Sequence, residues 1–343
     1  METILVTGSN GFLGEEIISF FQKKYKIIAV DKTSVINSNN FIDLNFYQID
    51  INNIDEIKKI FKENSIDIII HCAAELLDEK KTDLVWKTNY FGTKNLLDLS
   101  AKYNIKKFIF TSTFSIFEKN YDSLIDEEEL PSAIVDYGKS KYAAENLILR
   151  HDYQGSIVIF RCPVIIGKKR LDKLGLLFEF IKYNHDIWLI GGGNNRVHFI
   201  YVLDLINAIE KSITSIQGKY LFNIGSDDVL SIKEIFKKLQ NSVNSTGGIR
   251  SFPKTLGLLL LKILNFFNLV PLGPYHQRML VSNIVLDTSR IKKILNWKPS
   301  YTNEEMLIEC YKYYINNNCS VNQSSASSKK PKLGILSILK YIP

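Results

Sequence analysis

The chain has 343 residues, of which 45% are hydrophobic, so it can bury a large core and is long for a single compact unit. Its formal net charge of +7 is compatible with nucleic acid, a membrane surface or an anionic small substrate as partner. Because the lysines are spread along the chain and form no single patch, no nucleic-acid partner is expected.

The cysteines and histidines narrow the class further. No two of Cys72, Cys162, Cys310 and Cys319 form a C-x-x-C pair, so we expect reduced thiols in a cytoplasmic protein and no disulfide framework. No signal peptide is expected, because the first apolar strand begins almost at once. The five histidines show no metal-ligand spacing, so no metal is predicted.

The first half of the chain alternates short apolar runs with helical patterns. The patterns predict helices at 14–23 and 89–103. Strands are predicted at 4–6, 27–30, 66–71, 107–111, 156–160 and 220–224. Strands that are apolar on both faces and are separated by helices predict an α/β fold with a doubly wound parallel sheet.

Later stretches differ in character. Residues 191–195 read as a loop, and residues 316–343 as a flexible linker with a short apolar tail. Residues 256–270 are intensely apolar but shorter than the about 20 residues of a membrane span. They could pack on the core, which we favour, rest on a bilayer, or bind a lipid tail.

A glycine-rich loop, T-G-S-N-G-F-L-G, occupies residues 7–14 between the first strand and the first helix. Gly8 permits a tight turn, Gly11 lets the backbone approach a pyrophosphate, and Gly14 lets the helix pack closely on the strand. The helix N-terminus then faces the phosphates with its partial positive charge. This context makes the loop a specific sign of a dinucleotide site.

Two acidic residues are candidates for contacts with the dinucleotide. Asp31 directly follows the second strand, where a carboxylate accepts hydrogen bonds from ribose hydroxyls and repels a 2′-phosphate, so NAD is predicted over NADP. Asp50 closes the next apolar stretch and is either an adenine contact or a helix cap.

A second motif carries acid–base chemistry. Tyr137 and Lys141 are four residues apart and therefore share one helix face. A nearby ammonium and a positively charged nicotinamide would stabilise the phenolate, so Tyr137 could act as a general base near neutral pH. Thr113, at the end of the preceding strand, is our choice for the hydroxyl that hydrogen-bonds the reacting oxygen, with Ser112 as the alternative.

This combination resembles the extended short-chain dehydrogenase/reductases, especially the NAD-dependent nucleotide-sugar epimerases and dehydratases, over roughly residues 1–314. The stretch from Arg196 to Asp204 resembles the family motif R-D-F-I-Y-V-x-D. The other stretches that resemble family motifs are His71-Cys72-Ala73-Ala74, Asn89-Tyr90-Phe91-Gly92-Thr93, Asn223-Ile224-Gly225 and Leu295-Asn296-Trp297-Lys298-Pro299. The cofactor-binding residues that motifs and resemblance together imply are Gly8, Asn10, Gly11, Phe12, Leu13, Gly14, Asp31, Asp50, Ala73, Asn89, Tyr137 and Lys141.

The resemblance implies an architecture and a mechanism. An NAD-binding Rossmann domain would comprise residues 1–167 and 196–225, and a smaller, discontinuous α/β substrate domain residues 168–195 and 226–315. Tyr137 would remove a proton from a sugar hydroxyl while the hydride passes to the nicotinamide. Lys141 would hold the cofactor ribose and lower the tyrosine pKa. Family members often form homodimers, so a homodimer is expected.

Two departures from the family limit the activity. Sugar 4,6-dehydratases usually follow the catalytic threonine with Asp-Glu, but Phe114-Ser115 stand here, so we discount water elimination. Val164 replaces an asparagine that often binds substrate phosphate. Arg196 and Arg278 remain as candidates for a diphosphate, since the guanidinium fork binds oxygens bidentately.

Three hypotheses follow. The first is an epimerase acting, through a transient keto intermediate, on a sugar carried by a nucleotide or lipid diphosphate, with Thr113, Arg196 and Arg278 as substrate contacts. The second is a dehydrogenase of a sterol-like hydroxyl. The third, a catalytically silent dinucleotide-binding regulator, is disfavoured by the complete catalytic set. A cytoplasmic location is expected, with peripheral membrane contact left open.

Overall fold

The computed structural model describes residues 1–34, 44–76, 82–171, 174–267, 269, 273–317 and 319. Its strands, in chain order, are β1 (Thr3–Thr7), β2 (Lys26–Asp31), β3 (Asn45–Gln48), β4 (Ile68–His71), β5 (Lys107–Thr113), β6 (Ser156–Cys162), β7 (Val164–Ile166), β8 (Ile187–Ile190), β9 (Phe199–Tyr201), β10 (Lys219–Asn223) and β11 (Ile249–Phe252). The predicted linker and tail after residue 319 lie outside the described residues.

Helices connect these strands. They are α1 (Phe12–Phe21), α2 (Ile54–Glu63), α3 (Thr82–Trp86), α4 (Thr93–Lys102), α5 (Asp136–Arg150), α6 (Leu174–Lys182), α7 (Val202–Ser215), α8 (Ile232–Ser242), α9 (Lys254–Phe266), α10 (Pro274–Met279), α11 (Ser289–Leu295) and α12 (Asn303–Asn316). A π-helical segment, Lys87–Gly92, joins α3 to α4.

Seven parallel strands form the central sheet in the order β10-β6-β5-β4-β1-β2-β3. The predicted doubly wound parallel sheet is confirmed, and the strand predicted at 220–224 does join it as β10, beside β6. The strand order reverses between β1 and β4, and the carboxyl ends of all these strands meet at one edge. Ligands of such sheets bind in the crevice at that edge, so the fold places the site there.

Helices cover both faces of the sheet. On one face, side chains of α1, α7 and α11 pack with Trp297 against the apolar residues of the sheet, and on the other face α2, α4 and α5 do so. The strands are buried on both sides, which explains their continuous apolar runs. Trp297 and α11 follow residue 225, so part of the predicted substrate segment contributes to the core of the sheet.

A second, smaller core lies outside the sheet. The parallel pairs β7–β9 and β8–β11 accompany the helices α6, α8 and α12, whose apolar side chains form one cluster around Phe178 and Tyr311. The division of the chain into two domains, with the boundaries given above, stays a prediction.

The α9 helix differs from what its sequence led us to favour. Its most exposed apolar side chains, which we call the α9 face, are Leu256, Leu259, Leu260, Ile263, Phe266 and Phe267. Only Gly257 and Leu261 of this helix are fully buried. Core packing is therefore the wrong interpretation for the described part of residues 256–270. Among the described residues, no helix is long and apolar enough to span a membrane.

Candidate active site

The glycine loop has the backbone geometry of a phosphate cradle. Gly8 has φ +71°, and a Cβ there would lie 2.7 Å from the backbone of Ala73. A Cβ on Gly14 would lie 2.2 Å from the Gly8 carbonyl oxygen, so α1 approaches β1 closely only because Gly14 has no side chain. Gly11 occupies the N-cap of α1 without a side-chain cap, which leaves the first N–H groups of the helix open to an anion.

Asp31 is held beside this loop. Its carboxylate accepts hydrogen bonds from the Asn10 backbone N–H at 3.0 Å and from the backbone and hydroxyl of Thr33 at 2.9 and 2.8 Å. The Asn10 side chain in turn donates to the Thr33 carbonyl at 2.8 Å. The loop after β1 and the end of β2 are thus tied together at the position where a ribose is expected.

The other predicted cofactor residues are placed in different ways. Asp50 accepts hydrogen bonds from the backbone and side chain of Asn52, as a turn former does. Asn89 is completely buried, with its amide bonded to both backbone groups of Glu75 and to Ser140. A ligand in an open crevice would not contact Asn89 in this arrangement, so its geometry indicates positioning of the loop after β4. Ala73 lies in that loop, next to Gly8.

Phe12 and Leu13 begin α1 and pack into the core cluster on that face of the sheet. The Phe12 ring closes against Gly167, where an added Cβ would lie 2.4 Å from it. These two residues therefore hold the helix in place.

Four observations fit a dinucleotide in this crevice. The glycines leave the backbone of the loop without side chains where a Cβ would be crowded, and the N-terminus of α1 lacks a side-chain cap. The buried Ser9 hydroxyl, in the middle of the loop, has no hydrogen-bond partner among the described residues. Asp31 faces the loop from the end of β2.

The structure brings Thr113 and Tyr137 together. The Thr113 hydroxyl lies close enough to that of Tyr137 to lower the tyrosine pKa, whereas the Ser112 hydroxyl has no partner among the described residues. This geometry favours Thr113 over Ser112. Burial raises the pKa of Tyr137 above its ordinary value, and the hydrogen bond with Thr113 and the charge of Arg170 offset only part of that effect.

Lys141 lies one turn further along α5 but meets other groups. Its ammonium donates to the Thr111 carbonyl at 2.8 Å and lies 3.8 Å from the centre of the Phe110 ring. Burial lowers the pKa of Lys141 to about 8. We expected Lys141 to lower the tyrosine pKa. That role stays a prediction, since the groups that offset burial at Tyr137 in this arrangement are Thr113 and Arg170.

Sequence reasoning missed a second tyrosine. Ser115 receives a hydrogen bond from the Thr113 hydroxyl at 3.1 Å, and its own hydroxyl lies 2.5 Å from that of Tyr275 on α10. Thr113, Ser115 and Tyr275 therefore form one chain of hydroxyls beside Tyr137. Ser115 stands where the dehydratase pattern has a carboxylate, which was the only signal available, and nothing in the sequence linked it to Tyr275.

Arg278 is already engaged. Its guanidinium pairs with the carboxylate of Glu118, whose side chain is fully buried. The other oxygen of Glu118 accepts the backbone N–H groups of Ile134 and Val135 at 2.8 and 2.9 Å, just before α5 begins. Arg278 thus neutralises a buried carboxylate that anchors the start of α5, and its role toward a diphosphate stays a prediction.

Arg196 is exposed, and its guanidinium has no ion pair among the described residues. Its backbone N–H donates to Asn283, which lines a cavity of about 190 Å³ together with Asn195 and Lys254. The family pattern has one residue between arginine and phenylalanine, whereas two separate Arg196 from Phe199. The match of Arg196 therefore depends on a shift of one residue.

His198 follows in the same stretch and is buried. Its Nε2 donates to the Ser226 carbonyl at 2.6 Å and its Nδ1 accepts from the Leu286 backbone at 3.1 Å, which requires a neutral ring. Burial lowers the pKa of His198 to about 4. This residue therefore joins β9 to two loops and performs no proton chemistry near neutral pH.

Several known proteins resemble this chain in sequence or in fold. Uncharacterized protein y4nG of Sinorhizobium fredii is 28% identical over 99% of this chain and 86% of its own length. UDP-glucuronate 4-epimerase of Thermodesulfobacterium geofontis is 27% identical over 88% of this chain and 93% of its own. The structure of UDP-glucose 4-epimerase from Thermotoga maritima superposes with a TM-score of 0.74 at 24% identity, over 92% of this chain and 100% of that one.

The model of the NAD dependent epimerase/dehydratase family matches residues 4–225. That range holds the glycine loop, Asp31, Thr113, Tyr137 and Lys141. NAD is the cofactor that the crevice accommodates, and the chain belongs to the NAD dependent epimerase/dehydratase family.

Proposed function

We propose that this enzyme epimerises a sugar carried on a diphosphate. The observation that carries the proposal is the composition of the site around Thr113 and Tyr137. Their hydroxyls lie close enough for Thr113 to lower the Tyr137 pKa, and the two residues after Thr113 are Phe114 and Ser115, both buried and neither able to act as a carboxylate acid or base.

The residues present support reversible oxidation of a hydroxyl group. Tyr137 would accept the proton of the sugar hydroxyl, and Thr113 would hold the same oxygen by a hydrogen bond. When bound, NAD supplies the hydride acceptor and a positively charged ring that offsets the effect of burial on the Tyr137 pKa. Lys141, one turn away, would hold a ribose hydroxyl.

Elimination of water would need more than these groups. A dehydratase requires an acid for the leaving hydroxyl and a base for the ring proton. Ser115 bonds Tyr275, and the carboxylate of Glu118 is occupied by two backbone N–H groups and Arg278. Epimerisation needs neither group, which is why we favour it.

The charges beside the cavity support a diphosphate on the substrate. Lys254 lines a cavity of about 190 Å³, and Arg196 adjoins it through its backbone hydrogen bond to the lining residue Asn283; both are exposed cations. UDP-glucuronate 4-epimerase and UDP-glucose 4-epimerase are among the similar proteins. We therefore propose a nucleotide sugar as the first substrate class, with a lipid-linked sugar diphosphate as the variant.

The exposed α9 face favours one second candidate, a dehydrogenase of an apolar, sterol-like hydroxyl substrate. The two candidates differ in their electron balance, since a dehydrogenase releases NADH and an epimerase returns the hydride to the sugar. Homodimer formation and a cytoplasmic location stay proposals, the first of them measurable as molar mass in solution.

The experiment is an assay of the purified enzyme with UDP-linked hexoses, following sugar interconversion and NADH absorbance together. We expect interconversion without net NADH. Tyr137→Phe should lower kcat by about 10²–10⁴-fold, as expected for loss of a general acid–base group. Tyr142→Phe, on the same helix, is the matched control and should keep activity. Net NADH would favour the dehydrogenase, and unchanged activity in Tyr137→Phe would rule out the mechanism.

A further inference from the structure

The α9 face is an apolar surface that the described part of the chain leaves uncovered. Phe266 is 79% exposed and Phe267 64%, and the four aliphatic side chains of the face are each about half exposed. A helix on a globular protein normally turns its apolar stripe toward the core. Here α9 does the reverse over nearly four turns.

The attachment of α9 explains this orientation. Gly257 lies against Ile190 and Phe252, where an added Cβ would lie 2.9 Å from the Ile190 side chain. Leu261, one turn later, is also buried. The helix is thus attached through a narrow buried stripe, and its wide apolar side faces outward.

A further exposed aromatic ring lies on the strands that support α9. Trp188 on β8 is 60% exposed, and its ring lies 6.4 Å from that of Phe252, the residue that contacts Gly257. Contiguous apolar patches of this kind on a protein surface mark an interaction site. Tryptophan beside such a patch suits a membrane interface, where one end of the ring is apolar and the other wet.

The charge of the α9 segment has one sign, and Asp186, the acidic residue next to β8, is paired with Arg250. The chain carries 36 acidic residues, yet none lies between Glu234 and Asp287. Lys254 and Lys262 of α9 are exposed and have no ion pair among the described residues. A surface of apolar side chains and unpaired lysines is complementary to a layer of anionic lipid headgroups above hydrocarbon.

The same charge disfavours two other occupants. In a symmetric pairing of two copies, the same patch meets itself, so Lys254 and Lys262 would meet the lysines of the second copy. The chain's own residues 329–343 carry four lysines and no acidic residue, so they would also be repelled.

We propose that the α9 face and Trp188 dock this enzyme on the surface of an anionic lipid bilayer. A 13-residue helix is about 20 Å long, shorter than the about 30 Å hydrocarbon core, so α9 would lie in the plane of the interface. The inference does not depend on which substrate the active site accepts.

The test measures co-sedimentation of the full chain with vesicles of phosphatidylcholine alone and of phosphatidylcholine mixed with phosphatidylglycerol. Wild-type protein should bind the mixed vesicles at least about 10-fold more tightly, and added salt should weaken that binding. Leu259→Glu with Ile263→Glu should lower binding to the mixed vesicles by at least about 10-fold, because it places two charges in the apolar boundary. Lys262→Gln should lower it about 5-fold, in line with about 1 kcal/mol per lysine at such a surface.

The matched control is Leu130→Glu with Leu203→Glu, which changes two exposed leucines away from α9 by the same charge. It should bind like wild type, and both double variants should keep the wild-type circular dichroism. Absence of wild-type binding to the mixed vesicles would overturn the proposal, as would an equal loss in the control. A wild-type dimer that Leu259→Glu with Ile263→Glu converts to monomer, without vesicle binding, would assign the face to a second copy instead.

Discussion

Lys141 shows how burial acts on a residue of the site. Its ammonium is 2% exposed and is held by one carbonyl and one aromatic ring, so burial lowers its pKa to about 8. A lysine whose folded pKa lies below its unfolded value of 10.5 destabilises the folded state at neutral pH. The missing stability returns as the pH rises from about 8 toward 10.5.

We therefore predict that Lys141→Met raises the unfolding free energy at pH 7, by up to about 3 kcal/mol from the linkage alone, while activity falls at least about 100-fold. The stability difference should shrink above pH 8, as wild-type Lys141 loses its proton. Lys139→Met, at an exposed position on the same helix, is the control and should change neither quantity much. The measurement is chemical unfolding between pH 7 and 10, and a Met variant less stable than wild type at pH 7 would contradict this account.

His198 makes the free energy of unfolding depend on pH in the acidic range. Its folded pKa of about 4 lies below the ordinary 6.5, so its contribution to stability is complete above pH 6.5 and is lost as the pH falls toward 4. The full loss is about 3 kcal/mol. His71, also buried, has a pKa lowered well below 6.5 and acts in the same direction.

We predict that the unfolding free energy of the wild type falls between pH 6.5 and 4, and that His198→Gln flattens this slope by about one proton. His151→Gln, at a partly exposed position, is the control and should leave the slope unchanged. Urea titrations across this pH range measure it. A slope that His198→Gln does not alter would place the proton uptake elsewhere.

At the scale of elements, one buried ion pair joins α5 to the sheet. Arg161 of β6 donates to the Glu145 carboxylate from Nε and Nη2, at 3.1 and 2.9 Å, and both side chains are almost fully buried. A third donor of Arg161 bonds the Glu127 carbonyl at 3.0 Å. Because α5 carries Tyr137 and Lys141, this pair fixes the helix of the candidate site to the strand beneath it.

We predict that Arg161→Met costs about 3–5 kcal/mol, because it leaves the Glu145 carboxylate buried without a partner. Adding Glu145→Leu should recover much of that loss, since the second change removes the isolated charge. Lys94→Met, which breaks the exposed pair with Asp98, is the control and should cost at most about 0.5 kcal/mol. Urea unfolding measures all three. A double variant no more stable than Arg161→Met would show that the arginine acts through its other contacts.

The sheet was predictable because its strands are apolar on both faces and alternate with helices. Strand β3 was not predicted, although Asp50 was seen to close an apolar stretch there, since Asn45–Gln48 is a short edge strand with partly exposed side chains. The π-helical segment at Lys87–Gly92 was read as part of one long helix, because periodicity does not resolve a single turn. The exposure of the α9 face was not predicted, because an apolar run of residues does not reveal which side of its helix faces solvent.

The residues of the candidate site also fall into those that could be predicted and those that could not. The glycine loop, Asp31, Thr113, Tyr137 and Lys141 belong to local motifs that a sequence displays. The pairs Ser115–Tyr275 and Arg278–Glu118 each join residues that are 160 positions apart, so no local pattern contains them. These pairs could not be predicted, because only the tertiary structure brings α10 over the loop after β5.

For the whole molecule, the last strand of the sheet comes late in the chain. β6 ends at Cys162 and its outer neighbour β10 begins at Lys219, after the chain has passed through β7, α6, β8, β9 and α7. The central sheet is therefore complete only when about two thirds of the chain has been made.

That order has a consequence during synthesis. The about 60 residues between the ends of β6 and β10 take roughly 3–12 s to translate at about 5–20 residues per second. Through this interval the apolar strand Ser156–Cys162 presents an open edge of backbone donors and acceptors. Neighbouring nascent chains on one messenger can pair through that edge, so pauses of the ribosome between codons 163 and 218 would lower the yield of folded enzyme without changing any residue of it.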